Sequence, residues 1–559
     1  MRLLPRSLLP LAIVIATYAI ATLLIPTFAP VAISDDWTYA RSVEYLVRQG
    51  RYHIVPVAAA TMVFQLFWGG SFSYIFGMSF GALRFSTVVI TFLGGLAFYG
   101  TCREIGINRN RSALGTAVYL FNPVLFPITY TFMSDPQFLG LLAISSYFYV
   151  CGLRPGLAGE RAALIGSVVA ALACLQRPHG VLIPLGVLTY LSIANRFSWN
   201  RESLKTFFLV AFLPVATTIV FYVFVSHGIP SQQGYFLKEA KAAGFGQTWL
   251  LVRRLTFIEM MYTGLFVIPI VAAALPAIRT ISKIKAGRPT LLFATWTSIL
   301  LAGYIWFWNQ RRRMPYIPHF FGRAGPGSAD LRGARPPLAG PTAFDRLTVI
   351  CAIAAGLFAL CVAAGLSQKP RRGASGAGIL TVLLAWQVVG VVTQSLLFRN
   401  WIISLDRYLL PLLPFILALL LWSLNNIKLS MPIGWTFAGL FAFYSIIGTR
   451  DVLVFQTDVW KLAGQLNAEG IPDTRLDAGY PWDAYHLWEF SEQYHIPRQT
   501  PDGSWWTDVY ATATNSDYVI SGAPLRGYDV IEVQPYSAWL QHDQVYLMVC
   551  RRQSLRPPK

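Results

Sequence analysis

Long apolar runs, almost free of charge, recur along most of the chain, and no other feature limits its folding so strictly. A run such as "LPLAIVIATYAIATLLIPTFAP" suits a bilayer, because a helix of about 20 apolar residues crosses the hydrocarbon core. About thirteen such spans are predicted, at 8–30, 82–101, 112–129, 136–152, 162–175, 180–195, 206–226, 256–277, 289–308, 347–366, 377–398, 408–424 and 432–448. Composition agrees: 55% of the residues are hydrophobic and 13% charged, where soluble proteins carry roughly 25% charged residues. The basic N-terminus could belong to a signal peptide, but the apolar run behind it is too long, and an uncleaved first span is the better reading. The fold class expected is a polytopic α-helical membrane protein.

An excess of 45 Lys+Arg over 26 Asp+Glu would ordinarily raise nucleic acid as a partner. Here many basic residues fall in short loops between spans ("CREIGINRNR", "LRPGLAGER", "RTISKIKAGR", "SQKPRRG", "NNIKLS"), which is how orientation is set. No nucleic acid partner is expected. The pattern places the N-terminus in the cytoplasm of a plasma (inner) membrane protein and everything after 448 outside. Residues 449–559 turn polar, with a short helix near 456–469 and strands at "RLDAGY", "SDYVISG", "YDVIEVQPY" and "QVYLMVCRR", so a small extracytoplasmic α/β domain is expected behind a transmembrane domain, 1–448. Cys102, Cys151, Cys174, Cys351, Cys361 and Cys550 are scattered without metal-ligand spacing and read as apolar packing residues.

The first outer loop, 31–81, opens on "ISDDWTYARSVEYLVRQGRYHI". Tyr39, Val43, Leu46, Val47 and Gly50 share helical spacing, with Arg41, Glu44 and Arg48 on other faces, which predicts a helix lying on the outer membrane surface. Ser34-Asp35-Asp36 would cap that helix well, although a cap accounts for one acid better than two. The functional alternative gains weight from neighbours. Asp135, Arg177, His179, Asp406 and Arg407 all fall at outer span ends, and the outer loop 309–346 is rich in arginine. Arginine suits phosphate oxygens, while that loop could equally meet anionic lipid headgroups. Carboxylates beside guanidinium groups at a lipid–water boundary fit the transfer of a sugar from a polyprenyl phosphate. The phosphate leaves as a stabilised anion, and one carboxylate takes the proton of the attacking hydroxyl.

At this point the residues resemble a family. "SDDWTYARSVEYLVRQGRY" resembles the first outer loop of GT-C glycosyltransferases of the protein O-mannosyltransferase and aminoarabinose-transferase type. "ALRFSTVVITFLGGLAFYGTCREIG" is similar to their second span, "NPVLFPITYTFMSDP" to the turn between the third and fourth, and "DRYLLPLLPFILALL" to a late span. The "DAGYPWDAY" stretch resembles the outer domain of bacterial members, whereas 230–400 matches in hydropathy alone. The resemblance implies a GT-C-like fold with Asp35 as base, Asp36 as its neighbour and Asp135 as a second acid of the site. It implies structural or phosphate-side roles for Arg84, Arg407 and Tyr408, and no metal or cofactor. Many members carry Glu second in the acid pair and Lys-Pro further along the loop; this chain has Asp36 and Val55-Pro56. Phosphate binding then falls to Arg51, His53 or the Arg-rich loop. The partners implied are a polyprenyl-phosphate-linked sugar, a lipid, glycan or protein acceptor, and membrane lipids.

His53, His179, His227 and His319 read singly as structural or solvated histidines, and Trp482, Trp488, Trp505 and Trp506 as core or interface aromatics. A transporter or flippase is the main alternative function, and a non-catalytic assembly factor a third. Transporters place ionisable groups near the bilayer midplane, whereas these acids sit at the outer ends.

Overall fold

Unpaired backbone groups are costly in hydrocarbon, so an apolar run must satisfy its hydrogen bonds within itself. In the computed structural model each predicted span coincides with helix. The structure describes residues 8–555 except 59–60, 195–200, 226–244, 284–286, 329, 334, 368–372, 398–403 and 497–503. Most of the outer loop expected at 227–255, parts of the basic segments at 195–205 and 367–373, and the end of the tail lie outside the described residues.

The helices in chain order are α1 (Leu9–Leu24), α2 (Asp36–Gln49), α3 (Val63–Phe76), α4 (Phe80–Glu104), α5 (Arg109–Leu120), α6 (Leu125–Thr129), α7 (Ser134–Gly152), α8 (Leu157–Gln176), α9 (Leu182–Ile193) and α10 (Leu204–Val223). There follow α11 (Phe245–Ala274), α12 (Arg288–Asn309), α13 (Pro341–Leu366), α14 (Ala374–Leu397), α15 (Leu413–Ser423), α16 (Met431–Ala468), α17 (Tyr480–Gln493) and α18 (Trp505–Val509). Among the described residues nine helices are long and apolar enough to cross a membrane, so the protein is an integral membrane protein. The shorter α1 and the Pro178–Ile193 segment are apolar as well. The span expected at 112–129 is broken between α5 and α6 at Asn122-Pro123. There the Asn122 side chain accepts from the Val124 and Leu125 amides (2.9 and 3.2 Å) and starts the second piece. α4 and α7 cross in close contact: a Cβ on Gly94 would lie 2.8 Å from the Gly140 Cα. Small residues let two backbones approach in this way.

Two elements differ from expectation. The first outer loop holds a second helix, α3, and α2 is packed between α3 and α17 rather than against a membrane surface alone. The last span does not stop at 448. Residues 449–468 contain no proline and keep an apolar stripe that passes from the bundle core (Leu453) into the core of the C-terminal unit (Val459, Leu462, Leu466), so α16 runs for 38 residues in all, about 57 Å at 1.5 Å per residue. The expected boundary at 448/449 therefore falls inside one helix.

The C-terminal unit forms a four-stranded sheet in the order β3-β4-β6-β5, from β3 (Leu476–Asp477), β4 (Tyr518–Ser521), β5 (Tyr528–Tyr536) and β6 (Val545–Arg552). The β3–β4 pair is parallel and the others antiparallel, and all four strands lie where the sequence predicts them. The Arg-rich segment 309–346 is a strap. It contains the hairpin β1 (Phe321–Gly322) and β2 (Gly325–Pro326), places Leu331 in the core of the C-terminal unit and pairs Arg332 with Ser521 of β4. Its arginines mostly have protein partners: Arg313 with Asp345, Arg332 with Asp477 (3.2 Å), Arg335 with the Pro326 carbonyl (2.7 Å) and Arg323 over the Phe344 ring. They staple the strap down, which leaves these groups poorly placed for the headgroup or substrate contacts expected of them.

If α16 joins the two units as one rod, Val454→Pro should destabilise the protein by about 3 kcal/mol or more. Thermal unfolding in detergent would show a lowered midpoint, and limited proteolysis would open a new cleavage site near 454.

Candidate active site

Successive residues at a helix start project about 100° apart, and this separates the two adjacent acids. Asp36, the first residue of α2, turns inward: 1% exposed, it accepts from the Ile33 amide (2.6 Å) and the Phe132 amide (3.4 Å). Asp35 holds the N-cap position but makes no side-chain capping bond, so the capping role offered by the sequence is not realised. Its side chain keeps 28% of its surface open. Oδ2 accepts from Arg407 Nη2 at 3.0 Å, and Oδ1 accepts from the Tyr480 hydroxyl at 2.9 Å.

Arg407 enters from the 3₁₀ turn Asp406–Leu412 that precedes α15. Its other nitrogen, Nη1, lies 3.9 Å from Asp135 Oδ2. Asp135, in the first turn of α7, pairs through Oδ1 with Arg177 Nη1 at 2.9 Å. Arg177 also donates to Ser134 Oγ from Nε (3.1 Å) and Nη2 (2.8 Å). Carboxylate and guanidinium thus alternate, Asp35–Arg407–Asp135–Arg177. The preceding residue, Asp406, ties down the strap: its carboxylate accepts from the amides of His319, Phe320 and Phe321. That holds His319 against Ser34, with Nε2 3.3 Å from Oγ.

Environment sorts these groups by charge. Burial opposes ionisation of Asp35, but its neighbours, Arg407 foremost, then His319 and the Tyr480 hydroxyl, together outweigh it and hold the carboxyl below its usual range. Asp36 shows the reverse outcome: burial lifts it to about 7 against the opposing pull of Arg84. Burial, aided by Arg407, lowers His319 to about 3, which keeps the imidazole neutral. Asp330 of the strap is raised to about 6, mainly by burial and further by Asp35.

Other candidates are placed elsewhere. Arg84 is fully buried and donates to the carbonyls of Thr27 (2.7 Å), Ala29 (3.1 Å) and Val31 (2.8 Å). It fixes the segment leading into Asp35 and cannot meet a phosphate. Arg51 follows the far end of α2, roughly 20 Å along the helix from Asp36 by its rise, and the chain then folds back, with His53 packed on the Tyr45 ring and the Val55 amide donating to Ser42 Oγ (3.1 Å). Among the described residues neither Arg51 nor His53 touches Asp35, Asp135, Arg177 or Arg407. His179 is bonded to the Gly390 carbonyl (3.0 Å). Tyr408 is buried beside Arg407, its ring 5.3 Å from the guanidinium carbon. Trp482 and Trp506 are core residues, whereas Trp505 stays half exposed against Tyr480. Tyr480, Ser134 and the neutral His319 are the site residues that sequence reasoning missed. The one signal for Tyr480 was its place in "DAGYPWDAY". Among the described residues no three His, Cys, Asp or Glu side chains gather as a metal site would require.

The fold and site together define an integral membrane protein with an acid–guanidinium cluster where the helix bundle meets an α/β domain. No protein-family model and no curated protein matches the chain. Among solved structures it is similar to ArnT from Cupriavidus metallidurans bound to undecaprenyl phosphate, at 13% identity and a TM-score of 0.41, over 98% of this chain and 99% of that one. It is also similar to the oligosaccharyltransferase of Archaeoglobus fulgidus, at 13% identity and a TM-score of 0.39, over 90% and 61%. The S. cerevisiae protein O-mannosyltransferase Pmt1-Pmt2 complex bound to the sugar donor matches at 12% identity and a TM-score of 0.33. That match covers 40% of this chain and only 34% of the other.

A carboxyl raised in the fold contributes stability that is complete below its unfolded value and lost as pH rises through its folded one. For Asp36 the loss runs from about 4 to about 7. Asp36→Asn keeps an oxygen for the Ile33 amide and removes the titration. Thermal unfolding measured at a series of pH values between 5 and 8 should therefore vary less with pH in the variant than in the wild type.

Proposed function

We propose that the protein is an inverting glycosyltransferase that moves a sugar from a polyprenyl-phosphate donor to an acceptor hydroxyl on the extracytoplasmic side of the membrane. The observation that carries this reading is Asp35, a partly open carboxylate kept ionised by Arg407 within a cluster holding a second guanidinium. An ionised carboxylate with open surface can accept a proton, and neighbouring guanidinium groups can stabilise a phosphate as it departs.

In the step proposed, the acceptor oxygen attacks the anomeric carbon and its proton passes to Asp35. The bond from that carbon to the phosphate oxygen breaks, and the electron pair leaves with the polyprenyl phosphate. Attack opposite the leaving group inverts the anomeric centre. Arg177, with Ser134 and Asp135 fixing its plane, and Arg407 are the cations available to the phosphate side. This replaces Arg51 and His53 in that role. Asp135 acts by orienting both guanidinium groups. Asp36 and Arg84 support the site from behind.

In membranes supplied with a radiolabelled polyprenyl-phosphate sugar, Asp35→Asn should reduce transfer by about 100-fold or more, and Asp135→Asn by a smaller factor. Near wild-type transfer by Asp35→Asn would remove the base. For sidedness, the Tyr480–Asp35 contact puts the cluster and the C-terminal domain at the same end of the bundle. A reporter enzyme that is active only outside the cytoplasm, fused after Arg552, should be active. Activity of a cytoplasm-specific reporter there would reverse the orientation.

A further inference from the structure

We propose that Tyr480, contributed by the C-terminal domain, is a positioning residue for Asp35: its hydroxyl fixes Oδ1 and so aims the carboxylate at the incoming acceptor. This rests on the transferase reading above and assigns the outer domain a part in the reaction.

The placement of Tyr480 is built at several points. Gly479 stands immediately before it at φ +89°, where a Cβ would come within 2.5 Å of the Asp330 carbonyl oxygen, so glycine is required by both space and backbone. The Tyr480 amide donates to that same carbonyl at 2.9 Å. One turn on, Asp483 accepts from the Ala478 amide (2.8 Å) and the Trp506 indole (2.9 Å). The Tyr480 ring is buried among Trp37, Trp505 and Tyr510, with centroids 6.4, 4.7 and 5.4 Å away. α2 is registered against α17 independently, by Arg41 to the Tyr485 carbonyl (3.0 Å) and Tyr45 to Glu489 (2.5 Å). With both helices fixed, the phenol has little freedom to leave Oδ1. Burial and the charge of Asp35 raise the phenol well above its ordinary value, so it remains a donor.

Packing alone would be served by phenylalanine. What the hydroxyl adds is a second anchor on a carboxylate that, among the described residues, is otherwise held through Oδ2 by Arg407. The groups facing Asp35 are Arg407 from the 3₁₀ turn, neutral His319 and Asp330 from the strap, Asp36 and Tyr39 on α2, and Tyr480. Of these, Arg407 and Tyr480 donate hydrogen bonds to the carboxylate. Losing the phenol should therefore both loosen the base and raise its pKa.

The test compares wild type, Asp35→Asn and Tyr480→Phe by the pH dependence of transfer and by labelling Asp35 with a water-soluble carbodiimide, read by peptide mass spectrometry. The carboxyl oxygen adds to the carbodiimide carbon while its proton passes to nitrogen, and an added amine then displaces the urea to leave a stable amide; labelling therefore follows the protonated fraction, and its pH midpoint reports Asp35 whether or not the protein turns over. Tyr480→Phe should lower kcat about tenfold with donor KM little changed. The acid limb of the rate profile and the labelling midpoint should both rise by about half a unit or more. Replacing Tyr480 by 3,5-difluorotyrosine, a more acidic phenol that keeps the donor, should move the labelling midpoint downward and covers the case in which the phenylalanine variant folds poorly. Coincident midpoints in wild type and variants overturn the proposal. If the wild type transfers nothing, the transferase reading falls, and labelling alone decides whether Tyr480 governs Asp35.

Discussion

Arg407 is the pivot of the molecule. A guanidinium buried between two carboxylates loses much of its hydration, and its position is tolerable only while both partners stay in place. Those partners come from distant parts of the chain, Asp35 from the start of α2 and Asp135 from the start of α7, so one cation brings three segments together at the end of the bundle. The same turn supplies Asp406, which anchors the strap through three backbone amides. Two consecutive side chains thus organise the charged cluster and the path of the segment that covers it.

The strap and the C-terminal domain change the character of the site. Without them the Asp35 carboxylate would keep Arg407 alone among the hydrogen-bond donors described. With them it is bounded by His319, Asp330 and Tyr480. Local dielectric and local charge then separate two chemically identical side chains, one lowered by an adjacent cation and the other raised by burial. Adjacent acids can therefore have different work: Asp36 stabilises the turn that Asp35 emerges from.

Much of this was legible in the sequence, and the parts that were not have common causes. Spans and strands could be read because hydrophobic periodicity is a local property, and Asp35, Asp135, Arg177 and Arg407 because charge at the end of an apolar run is conspicuous. Which of Asp35 and Asp36 faces the cluster depends on a rotation of one residue around a helix axis, and that is set by contacts to Ile33 and Phe132. Arg84 looked like a candidate phosphate ligand because its three carbonyl partners are backbone atoms, which leave no trace in side-chain pattern. Arg51 and His53 are basic side chains close to the acid pair in sequence, but closeness in sequence fixes no distance once a helix lies between. Tyr480 lies 445 residues from Asp35, and nothing local announces such a pairing. The last helix runs on past 448, because hydropathy marks where an apolar run stops, not where a helix does.

That uninterrupted helix has a mechanical consequence. A bilayer core is about 30 Å thick, so a rod of about 57 Å projects well beyond it and carries the sheet as a mast carries a fixed yard. Proline stands only in its first turn, so the helix carries none of the internal breaks at which helices usually kink. Any displacement of the sheet against the bundle would have to bend the helix itself or carry the helix with it.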